Sequence, residues 1–172
     1  TVLYSLALRK AAETPDAIIK LSDILRYVIY ESSANEVPLK AEVHLLHNYI
    51  DLQRYRVDPS ADIKFIAEIQ DENTPIIPML LLPLLENSFK HGVKGDISNT
   101  FIHIHLKASN SVISFHIENN KTQGPKEDEP TRGIGLRNIQ ERLKLVYQNR
   151  FSFSIKDTDT SFTVNLQLNP SL

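Results

Sequence analysis

Two neighbouring segments, "TFIHIHLKAS" (residues 100–109) and "SVISFHIEN" (residues 111–119), alternate apolar and polar residues across the short turn "SNS". Successive side chains on a strand point to opposite faces. Ile102, Ile104 and Leu106 therefore share one face, and His103, His105 and Lys107 share the other. A hairpin written this way needs a cover on one face and water on the other. The apolar side of such a hairpin needs a cover, which helices can supply.

The rest of the chain provides them. "IKFIAEIQ" alternates as a third strand, followed by the loop "DENTP". "RFSFSIKD" and "SFTVNLQLN", joined by "TDT", read as a closing hairpin. "IGLRNIQERLKLVY" has the period of an amphipathic helix. Before the strands, the chain is helical. "LYSLALRKAA" carries one helix. "ETPDAIIKLSDILRYVIYES" carries a second, with Thr14 as N-cap, Pro15 at the first helical position, and Ile18, Leu21, Leu25, Val28 and Ile29 at helical spacing. "VPLKAEVHLLHNYIDLQRYRV" is a third, starting at Pro38 with Val43, Leu46 and Ile50 along one side. The turn-rich "VDPSAD" (residues 57–62) separates the two regimes. The expected domains are a helical segment at 1–57 and an α+β sandwich at 58–172, its sheet mostly antiparallel with helices on one face.

Composition narrows the class. With 41% hydrophobic and 23% charged residues the chain can bury a core, and a net charge of −2 without a basic block argues against nucleic-acid binding. The absence of cysteine excludes disulfides and thiolate metal sites. The most apolar run, "IIPMLLLPLL", has ten residues and two prolines, whereas a membrane span needs about 20. The chain starts at Thr1 inside an apolar helical stretch, which reads as a fragment of a longer protein.

Chemistry concentrates at two places. In "LLENSFKHG" (residues 84–92), Leu81, Leu84, Leu85 and Ser88 form one helical stripe, while Glu86, Asn87, Lys90 and His91 lie opposite. Pro83 is compatible only with the first turn of that helix. In "RGIGLRN" (residues 132–138), a long polar loop, residues 120–133, ends in Gly-x-Gly at a helix start. Such a junction offers free backbone N–H groups and a positive dipole end to phosphate. An Asn amide oxygen suits Mg²⁺ held mainly by nucleotide phosphates and water, and a nearby Lys balances phosphate charge.

These motifs resemble the LytS-type sensor histidine kinases, whose ATP-binding domain has the Bergerat fold shared with gyrase-type ATPases. "IPMLLLPLLENSFKHG" is similar to the family's N box and "GIGLRNIQERL" to its glycine box. "LSDILRYVIYE" and "PLKAEVHLLHNYIDLQRYRV" are similar to the helical segment between phosphoacceptor and ATP domain. The resemblance implies ATP and Mg²⁺ as cofactors. It implies that Asn87 coordinates the Mg²⁺ of Mg–ATP and that Lys90 and His91 lie near the phosphates. Gly133 and Gly135 let a lid close, with Leu136 and Asn138 beginning the lid helix. It further implies a homodimer through the N-terminal helices, a response-regulator partner of LytTR type, and a cytoplasmic portion of an inner-membrane-anchored protein. Glu86 is open between general base, orienting group and surface charge, and Glu86 with Lys90 also reads as an i,i+4 ion pair. Asn138 reads equally as a helix-terminus hydrogen bonder.

Two departures stand out. The family's Asp-x-Gly box, whose Asp accepts a hydrogen bond from the adenine amino group, is here "IENNK". Asn119 takes the Asp position and Lys121 that of the glycine. An Asn oxygen still accepts such a bond, more weakly for want of charge. The Pro-His-Phe phosphoacceptor motif is absent, so this chain alone is not expected to autophosphorylate. His44, His47, His103, His105 and His116 are expected to have no chemical role. Two other functions compete. A hydrolytic ATPase on this fold needs a Glu four residues before the Asn, where this chain has Pro83. A nucleotide-free dimeric scaffold would explain the altered box, but not the retained Asn87, Gly133 and Gly135.

Overall fold

The computed structural model describes residues 2–92, 100–121 and 134–170. Three helices come first: α1 (Val2–Leu8), α2 (Thr14–Arg26), which runs on into a π-helical turn (Tyr27–Glu31), and α3 (Leu39–Arg54). Thr14 is the first residue of α2 rather than its cap, a one-residue shift typical of helix ends, and its hydroxyl donates to the Ala11 carbonyl. Pro38 caps α3 in extended conformation, as its fixed φ and missing N–H favour. With Val37 it also forms a two-residue strand, β1 (Val37–Pro38), antiparallel to β3 (Pro75–Ile76).

The main sheet contains β2 (Asp62–Ile69), β4 (Phe101–Ser109), β5 (Val112–Asn120), β6 (Phe151–Asp157) and β7 (Ser161–Leu168) in the order β2-β4-β5-β7-β6. Only β2 and β4 are parallel. The β4–β5 turn places Asn110 and Ser111 at φ of 50° and 61°, the paired positive values of a tight hairpin whose twist matches its strands. Helices α4 (Leu82–Gly92) and α5 (Ile134–Tyr147) lie side by side on one sheet face, α4 across β4 and β5. Ile102, Ile104, Leu106, Ile113, Phe115, Ile117, Val164 and Leu166 are buried beneath them. The opposite face carries His103, His105, Lys107 and His116 at or near the surface. The α+β sandwich read from alternation is therefore the observed fold.

Helix α3 joins the same core. Its Leu39, Leu45, Leu46 and Ile50 cluster with the residues under the sheet, and His47 stacks at 4.7 Å on Phe65 of β2. Helices α1 and α2 form a separate small cluster, Leu6, Ala17 and Leu52, at the far end of α3.

Candidate functional site

Helix α4 is set by an apolar stripe. Leu81, Leu84 and Leu85 are fully buried and Ser88 nearly so, while Pro83 occupies the first turn, where its missing N–H costs nothing. The polar residues fall on the other side. Glu86 and Lys90 are exposed, and Asn87 and His91, one turn apart, are half-buried. Glu86 and Lys90 do not pair, since no ion pair joins them among the described residues. Glu86 instead lies beside Tyr49 of α3. Burial first, and the Glu86 charge second, push the Tyr49 phenol up to about 12. Partial desolvation also raises the Glu86 carboxyl. Tyr49 packs edge-on against Phe89 at 5.7 Å, which ties α3 to α4 beside these polar residues.

The C-terminal end of α4 meets the end of β5. A Cβ on Gly92 would lie 2.9 Å from Asn119 Cβ and 3.0 Å from its Nδ2, so only glycine lets these elements approach. Asn119 is completely buried. Its Nδ2 donates to the Asn120 carbonyl at 2.9 Å, which turns the amide so that Oδ1 points elsewhere. That Oδ1 has no hydrogen-bond partner among the described residues. A buried acceptor left unpaired is costly, and one held in a fixed orientation is set to receive a donor. The Asn120 side chain accepts the Phe101 N–H at 2.8 Å and so pins β5 to the start of β4. Lys121 turns away from Asn119. Its Nζ donates to the Thr158 carbonyl at 2.6 Å and pairs with Asp157 at the end of β6.

Gly135 lies in the first turn of α5, exposed and with open space around it; Leu136 packs on the core and Asn138 is exposed. Gly133 and residues 122–132 of the expected lid lie outside the described residues. Among the described residues no group of His, Asp and Glu could hold a metal ion by itself. The strand histidines have surface partners: His103 with Asp62 at 2.8 Å, His105 with Glu68 at 3.1 Å and His116 with Asn165 at 2.7 Å. The Asp62 carboxyl is held below its usual range by Lys64 and then His103.

Gly92 went unnoticed in the sequence, as did a buried polar cluster under the α4 entry. Glu42 of α3 accepts from the Tyr27 hydroxyl at 2.5 Å and the Met79 N–H at 2.7 Å through Oε1, and from the Leu81 N–H at 3.1 Å through Oε2. Burial raises its carboxyl despite these donors. The Tyr147 hydroxyl accepts the Ile77 N–H at 3.2 Å, and Arg142 donates to the Met79 carbonyl at 3.4 Å. The available signal was Glu42 itself, in phase with the apolar Leu39 and Leu46, since an acidic residue on a buried stripe is rare without partners.

Residues 1–61 match the family model described as histidine kinase. The sensor histidine kinase YesM of Bacillus subtilis is 32% identical over 127 residues, an alignment covering 69% of this chain and 21% of that protein. The sensor protein LytS of Staphylococcus epidermidis is 24% identical over 160 residues, covering 86% of this chain and 27% of that protein. The chain thus spans roughly a quarter of the length of these relatives. Among solved structures, the histidine kinase domain of the blue-light activated histidine kinase of Erythrobacter litoralis superposes with a TM-score of 0.58 at 13% identity, covering 95% of this chain and 82% of that one. That likeness concerns the fold. The chain belongs to the histidine kinase family, alongside relatives of the LytS and YesM type.

Proposed function

We propose that this chain is the ATP-binding catalytic region of a two-component sensor histidine kinase. It would donate the γ-phosphoryl of ATP to a histidine outside this sequence, from which it passes to an Asp of a response regulator. The observation that carries the reading is the orphaned Oδ1 of Asn119, buried and oriented by Asn120 beside Gly92. An adenine amino group supplies the donor that this atom lacks, and a neutral Asn serves there as an acceptor.

Asn87 would hold the Mg²⁺ of Mg–ATP through its amide oxygen, with Lys90 and His91 against the phosphates one turn on. Mg²⁺, when bound, neutralises charge on the transferring phosphoryl. Gly133, Gly135, Leu136 and Asn138 would form the closing lid and the start of its helix. Glu86, exposed beside Tyr49, would act as an orienting or proton-accepting group at the rim. Residues 1–57 would serve as the dimerisation and phosphotransfer segment and residues 58–172 as the ATP-binding part, with α3 lending its buried face to the second. A homodimer through the N-terminal helices, a LytTR-type response regulator and anchorage in the inner membrane by segments outside this sequence complete the reading. No helix among the described residues is long and apolar enough to cross a membrane.

Calorimetric titration with the β,γ-imido analogue of ATP, with and without Mg²⁺, tests it. Magnesium-dependent binding is expected, and Asn87→Ala should abolish it without moving the urea midpoint, because Asn87 lies off the apolar stripe. Unchanged affinity in that variant would overturn the assignment. No binding by the folded parent chain would favour the nucleotide-free scaffold.

A further inference from the structure

Glu42 is fully buried, yet it belongs to none of the residues facing the nucleotide. Two of its three hydrogen bonds hold one short segment. Met79 has a φ of 56°, a left-handed conformation that a residue with a side chain rarely adopts. Its N–H is held by Glu42 Oε1, and its carbonyl by Arg142 of α5. Two residues on, the Leu81 N–H is held by Glu42 Oε2. The Leu81 carbonyl then accepts the Leu84 and Leu85 N–H groups, the first hydrogen bonds of the helix that carries Asn87. The entry and register of α4 are thus held by one carboxylate on α3. The third bond to that carboxylate comes from Tyr27, the first residue of the π-helical turn that ends α2.

We propose that Glu42 is a positioning residue for the nucleotide site, and that Tyr27 ties the register of the Asn87 helix to the π-turn at the end of α2. The proposal rests on the ATP-site reading above. A carboxylate suits this place because it only accepts, and all three neighbours donate. A glutamine of the same shape turns an N–H₂ group towards a donor. Phenylalanine at position 27 keeps the ring and removes one donor. On this proposal a shift at the π-turn that alters the Tyr27 bond alters nucleotide affinity, and by reciprocity nucleotide alters that bond by the same factor.

The test uses the 172-residue chain and its variants Glu42→Gln, Tyr27→Phe and Leu168→Ala, each titrated with the Mg²⁺-loaded β,γ-imido analogue well below its urea midpoint. Leu168 is equally buried, but on β7, outside this chain of bonds. Glu42→Gln should weaken analogue binding by about tenfold or more and Tyr27→Phe by about fivefold. Leu168→Ala should lower the urea midpoint with affinity unchanged. Parent-like affinity in both Glu42→Gln and Tyr27→Phe, with a parent chain that binds, overturns this proposal and leaves the ATP site standing. Equal loss in Leu168→Ala also overturns it, since the effect would then be general loosening. A parent chain that does not bind removes both readings. Should Glu42→Gln fail to fold, Tyr27→Phe, which keeps the carboxylate and both backbone bonds, decides the matter.

Discussion

The two ends of this molecule treat apolar surface in opposite ways. Under the sheet, residues from α3, α4, α5 and the strands close on one another, and Leu84, Leu85, Ile113 and Leu168 have no exposure at all. At the other end, α1, α2 and the π-turn leave Tyr4, Leu8, Ile18, Ile19, Leu25, Val28, Ile29 and Tyr30 open, Ile29 at 65% and Tyr30 at 73%. The helical period that buries α4 is equally clear in α2, but within this chain α2 has only part of a partner. A complete core makes the sandwich self-sufficient. An uncovered helix face leaves open whether another surface covers it, which Ile29→Asp tests.

The contrast breaks most sharply at the core. Phe115→Ala should cost about 3–5 kcal/mol of stability in urea denaturation, because the side chain is 1% exposed and its removal leaves a cavity. Next comes the α4–β5 contact, where Gly92→Ala forces a methyl group to within 2.9 Å of Asn119. It should lose about 1–3 kcal/mol in the same assay through overpacking, and bind the ATP analogue more weakly. The open helical face should respond differently. Ile29→Asp should change stability by no more than about 0.5 kcal/mol, since the side chain is exposed. Sedimentation should nevertheless show weaker self-association; an unchanged sedimentation profile would remove that face as the dimer surface.

The smallest effect lies at the rim of the site. Glu86→Gln removes a negative charge beside Tyr49, so the phenol should ionise below its parent value of about 12, read by ultraviolet absorbance. The sign for stability follows from the raised value. The folded state holds this proton more tightly than the unfolded chain, whose phenol ionises near 10. The contribution is whole below about 10 and is lost as pH rises through about 12.

Much of the fold was legible because each element carried its own period. The alternation of Ile102, Ile104 and Leu106 with His103, His105 and Lys107 is reproduced in which side chains are buried, and α5 spans the residues of "IGLRNIQERLKLVY". The off-stripe placement of Asn87 and His91 was legible from the helical period, and both lie half-buried on the side of α4 away from its apolar stripe. The turn-rich residues 57–62 looked like a boundary, yet α3 before them packs into the same core as the strands after them. Local turn chemistry reports where an element ends, while shared burial depends on contacts far along the chain.

The sequence by itself determined the kinds and order of the elements and the polar residues set off the apolar stripe of α4, because hydrophobic period, proline placement and glycine spacing act over a few residues. Only the tertiary structure decided that Gly92 must be glycine, that Asn119 keeps a buried acceptor unpaired among the described residues, and that Glu42 accepts the Met79 and Leu81 N–H groups at the entry to α4. Glu42 and Leu81 are 39 residues apart, and Asn119 meets Gly92 only after a helix and a hairpin have packed. Such facts reside in the register between elements, which no local period encodes.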